Sequence, residues 1–549
     1  MDYTSGIKMI SMLVRSLVIC KLVFTSSWLT QSCPSMCNCF NGVQVFCSSS
    51  KMTIIPTDIP ASVTDLIFLD TSINLLKDES LKHYSSLKKL LFFNNDILYI
   101  HENAFHGLPH LTNLEISANP LSQIKPGTFK ELTELQKLII SYNSIKNLSC
   151  SLFESTTKLE FLDLQGNNLS QICSSLFSQL KNLHELNLGS NEINKLPADT
   201  FKQLQNLSIL KLDNNNINQI VPGSFDKLKN LTELSLDGNK IWRILRYTFE
   251  NLTSLKKLTL VKNSIKELNS HIFSKLSNLR WLALEGNQIT TLPAGTFDEL
   301  QNLVNLLLGR NQLQTIPRGI FSNLNNLETL FLSFNKIKSL EDNAFEGLES
   351  LTHLYLDNNC LEVIQGNTFQ NMTSLLVISL HHNLLRMLPE GIFDPLNNLI
   401  SLILHGNHWW CDCSLSHFLN WIKDNRDMTQ ISELVCQGPE HLHEKSIALL
   451  RNRELDCPTS ENVLYRSFRI QETALTDGPG TENIVPSICR SYLASNGSLI
   501  IHCEMMVCSS INIIVSTMNT FSTTTSSHNH TKDGSKCEAT SLKFTITSE

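Results

Sequence analysis

The residues whose types and spacing could do chemistry are the cysteines and a few histidines. Cys33, Cys37, Cys39 and Cys47 crowd the stretch CPSMCNCFNGVQVFC, and Cys411, Cys413, Cys436 and Cys457 form a second set that begins in NHWWCDC. Four cysteines can close two disulfides, with three connectivities open to each set, or hold a structural zinc ion. The amino terminus bears on the choice. Lys8 and Arg15 precede SLVICKLVFTSSWLT, which reads as a secretory signal over 1–32 although Lys21 interrupts its apolar centre. Export to an oxidising compartment favours disulfides over zinc. His381 and His405 stand 24 residues apart with His382 beside the first. No HExxH, GxSxG or phosphate-binding loop occurs, so no catalytic residue and no cofactor site is expected.

What must position these residues is a repeat. An Asn recurs every 24 residues from Asn95 to Asn407, a Leu stands eight residues before each, and a Phe stands ten residues after all but the last, from Phe105 to Phe393. The earlier turn around Leu66 has Thr71 in the Asn place and Leu81 in the Phe place. Three registers held over more than 300 residues identify the leucine-rich repeat in its 24-residue form. The pattern LxxLxLxxN has period two around its central leucines, so each repeat contributes one short strand with leucines inward. Stacked coils then make one parallel sheet lining a concave face. The Asn amide, with two donors and an acceptor, satisfies backbone groups buried at the following turn, and the phenylalanines stack on the return path. These recurring residues are structural.

The expected fold is thus a leucine-rich repeat solenoid with disulfide caps and a small β-rich tail. Its parts are the signal (1–32), an N-terminal cysteine-rich cap (33–62), the repeats (63–407), a C-terminal cap (408–458) and a disulfide-containing tail (459–549). In the tail, SLIIHC, SSINIIVSTM and SLKFTITS alternate like strands, whereas residues 519–536, rich in Ser and Thr, read as a loop or an O-glycosylated segment. The tail also carries Cys489, Cys503, Cys508 and Cys537. The stretch Leu499–Met518 contains His502 and Glu504, which argues against a membrane span. With 549 residues, 42% of them hydrophobic, a formal charge of −7 and no long basic run, nothing invites nucleic acid or a membrane surface. Asn147, Asn168, Asn206, Asn230, Asn251, Asn371, Asn496 and Asn529 each open an N-x-S/T acceptor for glycosylation.

The order of parts, CPSMCNCF with VFCS, then IPTDIP, the 24-residue repeats, LILHGNHWWCDC and a cysteine-bearing tail, resembles the non-catalytic, glycosylated subunits of plasma carboxypeptidase N within the leucine-rich repeat family. The cap resemblance implies pairing of Cys33 with Cys39, Cys37 with Cys47, Cys411 with Cys436 and Cys413 with Cys457. It also implies a secreted plasma carrier in a hetero-oligomer, whose partner is the catalytic carboxypeptidase N subunit. A secreted binder of another ligand, in a matrix or growth-factor complex, is the alternative.

Outward strand positions supply the candidate binding surface. In the central coils they include Asp163, Glu185, Asp213, Glu233, Asp237 and Glu285, relieved by Lys211 and Lys257; further along they become aromatic at Trp281, Phe331, Phe334 and Tyr355. Exposed aromatics on nearby coils are enriched at protein interfaces, so these four are the expected partner contacts. His353, His381, His382 and His405 share that face. His381 and His405, on strands about 4.8 Å apart, could share a zinc ion, but with no carboxylate identified in register beside them no metal site is expected. Cys150 and Cys173 lie on neighbouring coils one residue out of register, where a bridge needs Cα atoms within about 4.4–6.8 Å; Cys360 has no evident partner.

Overall fold

The leucine pattern closes into coils as its period requires. The computed structural model describes residues 33–425 and 434–455, together with the backbone of strands between residues 471 and 546. Two compact units are present, residues 1–450 and 451–549. In the first, a 17-stranded sheet runs from the cap hairpin Cys37–Phe40 and Gln44–Cys47 to Ser401–Ile403. The hairpin is antiparallel, and its second strand then pairs parallel with Asp65–Leu69. From there every strand pairs with the equivalent residues one repeat on, as Leu210 with Leu234 and Leu234 with Leu258. That constant register keeps every outward position of one coil above its counterpart in the next.

Three apolar or polar spines fill the interior. The strand leucines are buried throughout, Leu210, Leu234 and Leu258 completely. Phenylalanine rings stack from Phe105 to Phe225 and again from Phe249 to Phe393, with centroids 6.1 to 6.5 Å apart. The asparagines are buried and fully engaged: Asn215 Nδ2 donates to Leu188 O at 2.9 Å and Leu212 O at 3.1 Å, while its Oδ1 accepts from Ile193 N at 3.0 Å. The irregular first turn obeys the same logic. Thr71 donates through its backbone N and its hydroxyl to Asn95 Oδ1, and so begins the ladder.

Both open ends are covered. At the C-terminal end Trp409 is buried with its Nε1 donating to Leu404 O at 3.3 Å, and helix Ser416–Asp424 lays Phe418 and Trp421 against Phe393, the last ring of the spine.

The second unit contains two antiparallel sheets, one of Gln471–Glu472, Ile511–Asn519 and Ser522–His530, the other of Ile488–Leu493, Leu499–Val507 and Glu538–Ile546. Ser522–His530 corrects the loop expected from sequence. Its low apolar content hid a strand that carries three consecutive threonines, and β-branched Thr523, Thr524 and Thr525 favour extended backbone. Cys489 and Cys503 are register partners within the second sheet.

Candidate functional site

The concave face divides into three zones, set by which residue type fills each outward register. In the central coils the two lysines neutralise specific glutamates: Lys211 Nζ lies 2.8 Å from Glu185 and Lys257 Nζ 2.8 Å from Glu233. Asp163, Asp213, Asp237 and Glu285 carry the remaining negative charge there. Burial, ahead of neighbouring charge, pushes the carboxyls of Asp163, Asp237 and Glu285 above the usual range. Such a group binds protons more readily in the folded chain, so its ionisation weakens the fold at neutral pH, and the penalty disappears below the unfolded value. Asp163→Asn keeps an oxygen for the Gln165 N–H, which now donates to Asp163 Oδ1 at 2.8 Å. It should therefore raise stability at pH 7 by roughly 0.5 kcal/mol or more. The gain should close as the pH falls toward about 3.9, which urea midpoints at the two pH values would measure.

Toward the C-terminal coils the face becomes aromatic. Phe331 and Tyr355 are paired strand residues whose rings tilt together at 5.5 Å, with His353 6.3 Å from Tyr355. The ring of Phe331 lies over Gly309, where any Cβ would stand 2.3 Å from it. Phe334 is 40% exposed beneath the Arg310 guanidinium at 4.3 Å. Trp281 is also exposed but sits two strands earlier, beyond Asn305, so it lies apart from the Phe331–Tyr355 pair. Sequence reasoning passed over Trp242 and Tyr247, both more than half exposed, with the Arg246 guanidinium 5.0 Å from the Tyr247 ring. They lie outside the strand pattern used to find exposed positions, and the only signal was a bulky residue between ladder Asn239 and Phe249.

Beyond the aromatics is a histidine cluster. The His381 and His405 rings stack at 4.7 Å, and His382 meets both edge-on at 5.2 and 5.3 Å. A carboxylate does stand in register, correcting the expectation from sequence: Asp357, one repeat before His381, places Oδ2 3.7 Å from His381 Nε2. An aspartate in a row of variable polar residues gave no signal of its own. Burial first, and then the neighbouring histidines, hold His381 below the ordinary imidazole range against the opposing pull of Asp357.

Cysteines join Cys33 to Cys39, Cys37 to Cys47, Cys411 to Cys436 and, within the repeats, Cys150 to Cys173 with Cα atoms 5.8 Å apart. Cys413 is also disulfide-bonded; Cys457 lies outside the described residues. Cys360 is a free, half-buried thiol. Of the glycan acceptors, Asn147, Asn206, Asn230 and Asn371 are exposed and Asn168 and Asn251 half-buried. The side chains of Asn496 and Asn529 lie outside the described residues, as does the signal segment 1–32. Among the described residues no helix is long and apolar enough to cross a membrane.

Comparison with known proteins agrees with this architecture. The leucine rich repeat family model matches residues 109–169, 181–241, 253–313, 301–361 and 353–408, together more than half of the chain. The chain is related to carboxypeptidase N subunit 2: it is 36% identical to the Homo sapiens protein over 114 residues, 20% of this chain and 21% of that one, and 45% identical to the Mus musculus protein over 49 residues, 9% of each. The matched segments thus span about a fifth or less of those relatives' length. Among solved structures, the TLR13–ssRNA13 complex superimposes with a TM-score of 0.56 at 26% identity, covering 72% of this chain and 61% of that one.

Proposed function

Because the chain belongs to the leucine-rich repeat family, we propose that it is a secreted, non-catalytic subunit that binds and stabilises a catalytic metallocarboxypeptidase of the carboxypeptidase N type. Its Phe331–Tyr355 pair, with exposed Phe334 nearby, carries the protein-binding part of this proposal. Aromatics that keep exposed area on a rigid sheet form contact surface at little entropic cost, and interface energy concentrates on such anchors. Relatedness to carboxypeptidase N subunit 2 supports the choice of partner. Disulfides in both caps support an extracellular setting, and the exposed acceptors at Asn147, Asn206, Asn230 and Asn371 would carry glycans there.

A carrier binds the folded partner and not the unfolded one, so it protects by mass action without touching turnover. Mixing this chain with a catalytic carboxypeptidase N subunit should give a complex on sizing. It should also slow thermal inactivation and leave kcat on a peptide ending in Lys or Arg nearly unchanged. Converting Phe331, Phe334 and Tyr355 together to Ala should weaken the complex about tenfold or more. Absence of a complex would favour a secreted binder of a matrix or growth-factor ligand, and an intact complex with the triple variant would move the contact away from this patch.

A further inference from the structure

The histidine cluster is unlike any other part of the concave face, because its nitrogens converge. His381, His382 and His405 each offer a ring nitrogen, and the three atoms lie within 4.8 Å of one another. Asp357 Oδ2 adds an oxygen 3.7 Å from His381 Nε2. In a tetrahedral zinc site, bonds of about 2.0–2.2 Å to nitrogen and oxygen put the ligand atoms about 3.3–3.5 Å apart. The His381–Asp357 separation is already close to that value, and the remaining nitrogens, within 4.8 Å of one another, would have to draw together to reach it on binding.

The surroundings hold these groups as the outer partners of a metal site do. Ser379 Oγ is 2.7 Å from His381 Nδ1, which fixes the ring and leaves Nε2 as the ligating atom. Ser333 Oγ donates to Asp357 Oδ1 at 2.6 Å, and Asn358 Nδ2 donates to Oδ2 at 2.9 Å. Both serines are buried. Gly406 leaves room for the cluster, since a Cβ there would stand 2.4 Å from His382 Nδ1.

We propose that His381, His382, His405 and Asp357 form a zinc site that staples three successive coils at the C-terminal end of the concave face. Three imidazoles and one carboxylate are borderline nitrogen and oxygen donors, which suit zinc among the divalent first-row metals and give calcium or magnesium no advantage. Four protein ligands leave no open position, so the ion is structural. The site adjoins the aromatic patch proposed above, with the Phe334 N–H donating to Asp357 O at 3.0 Å, but zinc binding by this chain alone can be tested without the partner.

The experiment uses the full disulfide-bonded chain, stripped with a chelator and titrated with Zn2+ alone, with bound metal counted by elemental analysis and affinity taken from calorimetry. One zinc per chain is expected, together with a higher Tm in zinc than in chelator. His382→Ala, at an exposed side chain whose loss leaves the core intact, should weaken binding at least about tenfold. Ser333→Ala, which removes an outer-shell partner, should weaken it about 10–100-fold. Cys360→Ser and His441→Ala should leave it unchanged, which separates this site from the free thiol and from an exposed histidine elsewhere. Cobalt in place of zinc should show the visible absorption of a tetrahedral ion. No stoichiometric zinc, or zinc retained by the His381→Ala/His405→Ala variant, would overturn the proposal.

Discussion

Phe201→Ala should destabilise the solenoid by about 3–5 kcal/mol, the range for a buried aromatic cut back to a methyl. The ring is essentially unexposed and stacks on Phe177 and Phe225, each 6.3 Å away. Truncation therefore removes apolar burial and opens a void shared by three coils, and coils locked in register cannot collapse to fill it. Because each repeat touches only its neighbours, the stability of a solenoid is close to a sum of repeat and interface terms. Loss at one coil then weakens two interfaces and leaves distant ones unaffected. Hydrogen exchange should show lost protection around residues 177–225 and little change near the disulfide-closed ends. Phe201→Leu should cost less, roughly 1–2 kcal/mol, since the first turn fills the same position with fully buried Leu81. Urea midpoints for both variants decide the matter; equal midpoints for Ala and Leu would mean that the spine contributes by ring stacking and not by general apolarity.

The scaffold was legible because its signal is repeated and the chemistry behind each recurring residue is local. A single Leu says little, but a Leu, an Asn and a Phe in fixed phase from coil to coil permit one stacking arrangement, and the observed pairing of Leu210 with Leu234 follows from the spacing alone. The surface was legible only in part, because outward residues obey no such constraint. That Phe331 and Tyr355 would touch follows from their 24-residue separation, and the structure pairs them. The separation of Trp281 from that pair follows from the same arithmetic, since Asn305 fills the intervening strand. Asp357 went unnoticed beside His381 although the repeat places it directly alongside: one carboxylate in a variable row has no composition signal. In the second unit alternation was a weaker guide, and a threonine-rich strand read as loop because a polar strand and a polar loop have the same composition.

Asn215→Ala should cost about 2–4 kcal/mol, and the bonds it makes show where that cost arises. Leu188 O also accepts from Asn191 Nδ2 at 3.2 Å, and Leu212 O from Asn239 Nδ2 at 2.9 Å, so neither carbonyl is orphaned. The N–H of Ile193, which donates to Asn215 Oδ1, loses that acceptor in the interior; an unsatisfied buried donor costs about 1–3 kcal/mol, and the vacated volume adds the rest. Asn215→Asp separates these contributions. It keeps an oxygen for Ile193 but turns a second oxygen, with no proton, toward the carbonyls of Leu188 and Leu212. The charged form is thus opposed by burial and by two carbonyl dipoles, which raises the folded pKa of the new carboxyl above the unfolded value of about 3.9. With that sign the penalty is present in full above the folded pKa and is relieved as the pH falls through it toward the unfolded value. At pH 7 the Asp variant should be less stable than the Ala variant, and at pH 4 the order should narrow or reverse, because a protonated carboxyl restores one donor. Chemical denaturation of the three proteins at both pH values tests this. If Asp and Ala differ by the same amount at pH 7 and pH 4, the amide protons of the ladder contribute nothing that its oxygen does not.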